Sequence, residues 1–127
     1  MSKEFINPDA TFRPTGYSHV VKAGDTVYIA GQIALNTQGE VVGTGDITAQ
    51  TTQVLANLEE AVKAAGGKRE DIVSITIYMT NRDDLPAFRE ARGEFFGKNP
   101  PTSTLLIISG LARPELLVEI SAIAVIE

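Results

Sequence analysis

The chain has 127 residues, a formal charge of −5, no cysteine and a single histidine, His19. That length fits one domain spanning residues 1–127 with a modest core. The lack of cysteine excludes a disulfide frame, thiolate catalysis and thiolate metal ligation, and one histidine excludes a multi-histidine zinc site.

The acidic balance argues against nucleic acid or an anionic membrane as partner. No apolar run reaches the roughly 18 residues that suggest a membrane span. The first five residues have no apolar signal core, so a cytoplasmic protein is expected. Carboxylates occur without a recognisable metal-loop spacing, and no metal is expected.

Residues 1–16 read as irregular, with turn or extended signals at Asn7-Pro8, Arg13-Pro14 and Thr15-Gly16. Residues 17–23 read as a short strand with Tyr17, His19 and Val21 on one face. A turn at residues 23–26 leads to a compact apolar strand, residues 27–30, that ends at Gly31-Gln32. Residues 33–36 continue it before a turn at 36–40, which gives an antiparallel meander over 17–42.

Asp46 suits a helix N-cap. After it Ile47, Thr51, Val54, Leu55, Leu58, Ala61, Val62 and Ala65 recur at helical spacing, the stripe of a helix packed on a sheet. Gly66-Gly67 ends it. Gln50, Gln53, Asn57, Glu60 and Lys63 fall on the opposite side. Residues 72–80 read as a strand, with Val73, Ile75, Ile77 and Met79 facing one way and Ser74, Thr76 and Tyr78 the other.

Asp84 suits a second N-cap, with Pro86 tolerated in the first turn. Leu85, Phe88, Ala91, Arg92, Phe95 and Phe96 give this second helix its packed side, and Gly97 with Pro100-Pro101 stops it. Residues 103–108 form a β-prone run. After a break at 110–114 comes the run 116–126, long enough for a central strand and carrying a single acid, Glu119.

This order predicts an α+β fold, two helices on one face of a mixed sheet. Ile29, Ile33, Ile108, Val118, Ile120 and Ala122 are expected to make the other face apolar. Self-association is the expected way to cover it.

Glu119 is the first functional candidate, because a carboxylate among apolar residues must be paired, hydrogen-bonded or shifted in its titration. Arg13, Arg89 and Arg113 are the candidate cations for a substrate carboxylate, since a guanidinium forks onto it. Tyr17 suits either a substrate hydrogen bond or an interface. Ser103 and Thr104 suit hydrogen-bond donation to an anion, with no nucleophile elbow around them.

The chain resembles the Rid family (the YjgF/YER057c/UK114 group) over nearly its whole length. The marks are Gly16-Tyr17-Ser18, Val27-Tyr28-Ile29-Ala30-Gly31-Gln32, Gln53 through Asn57-Leu58, Ala64-Ala65-Gly66, Asp71-Ile72-Val73, Phe95-Phe96 and the run from Val118 to Val125. The resemblance implies a chorismate-mutase-like fold with a mostly antiparallel sheet, a homotrimer with clefts between subunits, and no cofactor. It implies hydrolysis of a small enamine or imine carboxylic acid to a keto acid and ammonia.

Carried over by position, Glu119 handles water, Tyr17 lines the pocket with Gly31 and Gln32, and Arg89 stands where the family's deaminases have an asparagine. The family's carboxylate-binding arginine has no counterpart. Its motif falls on residues 101–104, with Ser103 at its position. That departure brings in two other readings: a 2-aminomuconate deaminase type of activity, and a non-catalytic trimer that binds a small acid or a protein.

Overall fold

The computed structural model describes residues 2–127. Six strands form one sheet: β1 (Lys3–Ile6), β2 (Val20–Ala23), β3 (Thr26–Gln32), β4 (Ile72–Met79), β5 (Thr102–Ile107) and β6 (Val118–Val125). Their spatial order is β1-β2-β3-β6-β4-β5, antiparallel throughout except for the parallel β4–β5 pair. Helices α1 (Ile47–Ala64) and α2 (Leu85–Arg92) cover one face. The last strand is therefore interior, as its length and apolar content predict. No helix among the described residues is long and apolar enough to cross a membrane.

Helix α1 follows its sequence signals. Asp46 Oδ1 accepts from the Ala49 amide. At the other end the Gly66 and Gly67 amides donate to the Lys63 and Val62 carbonyls, the paired closure of a Schellman motif. The apolar stripe is buried, with Val54, Leu58, Ala61 and Val62 fully enclosed. Burying a Val or Leu side chain is worth about 1.5–3 kcal/mol. Two residues expected on the solvent side are also buried, Gln50 and Asn57. Gln50 bonds the Gly43 and Glu115 carbonyls and the Leu117 amide. Asn57 donates to the Ile33 and Leu35 carbonyls. Loops without a ladder need side-chain partners for their buried polar groups, and these two amides supply them.

Several expected boundaries differ. Residues 1–16 are not wholly irregular, because Lys3–Ile6 pairs with β2. The second strand begins at Val20, after Tyr17 and His19, and His19 is buried rather than sharing an open face with Tyr17. Residues 33–36 leave the sheet, with Leu35 bridging Val41. Val73 is the extra residue of a bulge between Ile72 and Ser74, so it turns outward while Ile72 takes the buried position. Asp84 makes no side-chain cap, whereas Asn81 caps the preceding 3-10 turn. Helix α2 ends at Gly93, whose φ of 50° an L side chain rarely adopts, rather than at Gly97.

The face opposite the helices is apolar in part, but through other residues than expected. Ile29, Val118, Ile120 and Ala122 lie under the helices, with Ile33 packed at the core's margin. Facing outward instead is a cross-strand row of Phe5, Val21, Tyr28 and Ile123, with Val125 beside it. Strand alternation fixes which set is which once the register is known.

Candidate active site

Glu119 lies near the start of β6, in the middle of the sheet. Its neighbours Val118 and Ile120 are fully buried toward the helices, so alternation sends the Glu119 side chain to the open face. Tyr78 of β4 is its cross-strand partner. On the other side, the β3–β6 register shifts between Ile29 and Gln32. Gly31 falls in that irregularity, and the Glu119 carboxyl group occupies the space a side chain would take. A Cβ on Gly31 would overlap Glu119 Oε2 and lie 2.6 Å from the carboxyl carbon. The half-buried Glu119 carboxyl has its pKa raised above the ordinary value of 4.5 by desolvation.

Tyr17 reaches the same place from the segment before β2. Its phenol has its pKa raised above 10.0, first by burial and second by the charge of Glu119. Arg13 shares with Tyr17 a cavity of about 340 Å³ that Thr37 and Asp9 also line. No carboxylate pairs with Arg13 among the described residues.

The other expected site residues divide by face. Thr104 pairs with Thr76, which pairs with Ser121, so it belongs to the Glu119 side of the sheet. Ser103 pairs with Ile75 and faces the opposite way. It lines a separate cavity of about 350 Å³ with Arg92 and Phe96. Ser103 is therefore not directed toward Glu119, because one residue of displacement along a strand changes its face. The Gln32 side chain is likewise absent from the cleft. It is fully buried and bonded to His19 Nδ1 and the Ala30 carbonyl. Arg89 is exposed on α2, across the sheet from Glu119 within one chain.

Sequence reasoning missed the pairing of Tyr78 with Glu119. Its only signal was parity, which placed Ser74, Thr76 and Tyr78 together without saying what lay opposite. Among the described residues, no group of three or more His, Asp or Glu side chains converges as a metal site would require.

A family model for endoribonuclease L-PSP matches residues 9–126. A RutC family protein of Pyrococcus horikoshii is 38 % identical over 124 residues, covering 96 % of this chain and 97 % of that one. A 2-iminobutanoate/2-iminopropanoate deaminase of Dermatophagoides farinae is 34 % identical, and a 3-aminoacrylate deaminase RutC of Acinetobacter baylyi is 33 % identical. Each alignment covers 98 % of both chains.

Among solved structures, a conserved Rid family protein of unknown function from Yersinia pestis superposes with a TM-score of 0.92 at 30 % identity, covering 98 % of this chain and 100 % of that one. E. coli TdcF with bound serine gives a TM-score of 0.90 at 28 % identity, covering 98 % and 99 %. The fold, the near-complete coverage and the family model agree: this chain belongs to the endoribonuclease L-PSP family, the YjgF/Rid family.

Proposed function

We propose that this protein hydrolyses a small enamine or imine carboxylic acid to the corresponding oxo acid and ammonia, with Glu119 handling the water. The observation that carries the reading is the Glu119 carboxyl group, half-buried over Gly31 with its pKa raised and Tyr17 beside it. The two related deaminases support the reaction class.

An enamine first takes a proton on carbon and releases one from nitrogen, becoming an imine. Water then adds across the C=N bond, and Glu119 takes a proton from that water as the C–O bond forms. The nitrogen gains a proton, and the tetrahedral carbinolamine forms. Transfer of the hydroxyl proton and protonation of nitrogen break the C–N bond, leaving C=O and NH3. A carboxyl group titrating nearer neutrality than a free one can accept and return that proton. Tyr17 suits a hydrogen bond to a substrate oxygen.

For the substrate carboxylate, the cavity favours Arg13 over Arg89, with Thr104, Thr76 and Ser121 offering hydroxyls on the same face. A homotrimer with clefts between subunits belongs to the same proposal, as does Arg89 reaching a neighbouring subunit's cleft. A net charge of −5 and a carboxylate in the cleft both oppose a polyanionic substrate such as RNA.

The test is ammonia release from imine generated immediately before mixing. Glu119→Gln is expected to slow it about 10²-fold or more, the usual scale of a lost general base. A full rate in that variant eliminates the mechanism. If the unmodified protein releases no ammonia but binds 2-oxobutanoate, a non-catalytic acid-binding role replaces it.

A further inference from the structure

We infer that His19 is a positioning residue: its buried ring joins the end of β3 to the Phe12–Tyr17 segment and thereby holds Tyr17 against Glu119. The case begins with a segment that lacks a ladder. Among the described residues no backbone–backbone hydrogen bond involves Phe12 to Ser18. Pro14 and Gly16 interrupt it, yet Phe12 is buried and Tyr17 lies close enough to Glu119 for the charge to act on its phenol. Something other than the sheet must fix this stretch.

His19 is fully buried and touches both ends of it. Nε2 lies 2.6 Å from the Phe12 carbonyl oxygen. A carbonyl only accepts, so Nε2 carries the hydrogen and donates. Nδ1 then accepts from Gln32 Nε2 at 3.1 Å, and Gln32 Nε2 also donates to the Ala30 carbonyl. The ring meets Phe12 edge-to-face at 4.6 Å between centroids and Tyr17 at 6.0 Å. The His19 main chain completes the joint: its carbonyl accepts from the Ala30 amide and its amide donates to Asn7 Oδ1.

Ala30 and Gln32 flank Gly31, where the Glu119 carboxyl group rests. One imidazole therefore spans both walls of the cleft. Replacing it with a group that fills space but lacks directed polar atoms leaves the Phe12 carbonyl without its donor and the Gln32 amide with the Ala30 carbonyl alone, and the segment loses its hold.

The kinetic consequence rests on the proposed deaminase reading, but the principal readout does not. The chain has three tyrosines. With their ring carbons isotopically labelled, NMR follows each phenol's titration, and Tyr17→Phe assigns the Tyr17 signal. The groups facing that phenol are Glu119 from β6, the His19 ring, and Arg13 and Asp9 around the adjoining cavity.

In the unmodified protein Tyr17 is expected to titrate above an ordinary tyrosine. His19→Ala should return it to the ordinary range. Where ammonia release is measurable, kcat/KM should fall about tenfold or more, as for a misplaced cleft group. His19→Gln can donate to the Phe12 carbonyl and accept from Gln32, and it should restore both properties. If His19→Ala does not fold, Gln32→Met removes the donor to Nδ1 while keeping the volume, and it should move Tyr17 in the same direction. An unmoved Tyr17 titration in a folded His19→Ala, or in Gln32→Met where it substitutes, overturns the inference, as does a His19→Gln that restores nothing. A protein without deaminase activity but with this titration pattern sinks only the catalytic reading.

Discussion

Alanine at position 31 would contest the space that the Glu119 carboxyl group fills, so the absence of a side chain at Gly31 is part of the site. The φ of Gly31 is not positive, and Ala can take that backbone. Gly31→Ala is therefore expected to fold with little change in Tm while pushing the Glu119 side chain aside. Ammonia release should fall about 10²-fold, the scale of an ångström-sized misplacement of reacting groups. Activity equal to the unmodified protein would show that the carboxylate works from another position.

Glu119 also carries a pH signature. Folding raises its pKa above 4.5 through burial. Between the unfolded and folded values the folded state holds more protons, so stability falls as pH rises through that window and stays lower above it. Glu119→Gln removes that fall. Thermal melts should match the unmodified protein below about pH 4 and exceed it by a few degrees near neutrality. A variant with no gain at neutral pH means the carboxyl group is better solvated than its position indicates.

At the scale of elements, periodicity reveals faces but not registers. Helix α1 was legible from Asp46 through Gly66-Gly67 because its cap, stripe and stop are all local signals. The central place of β6 was legible from its length and apolar content. The pairing of Tyr78 with Glu119 was not, because which residues oppose one another depends on contacts far apart in sequence. The same limit explains Ser103. A period of two sends neighbouring residues to opposite faces, so an uncertainty of one position changes whether a side chain enters the cleft. The inward turns of Gln50 and Asn57 were illegible for a different reason: an amide on a helix looks solvent-facing until a loop carbonyl needs it. Asn57→Ala leaves the half-buried Ile33 and the buried Leu35 carbonyls without that donor. A loss of about 1–3 kcal/mol is expected, read as a lower denaturant midpoint at unchanged slope. An unchanged midpoint would mean that water replaces the amide without loss.

For the whole molecule, the helices leave one sheet face open, and its outward row of Phe5, Val21, Tyr28 and Ile123 favours association. Under the proposed assembly, light scattering should give the mass of three chains. Replacing Tyr28 and Ile123 with Glu should lower it to one chain with the far-UV circular dichroism retained. A single-chain mass for the unmodified protein overturns the trimer. The interior strand fixes Glu119, whereas Arg13 and Tyr17 belong to a stretch with no strand partners. The two parts are therefore unequally free to change. Lengthening or recharging the lip between Phe12 and Tyr17 disturbs no ladder, whereas moving Glu119 disturbs the middle of the sheet. Under the proposed function, a descendant of this chain could acquire a new substrate by rewriting the lip while Glu119 keeps its place in the sheet.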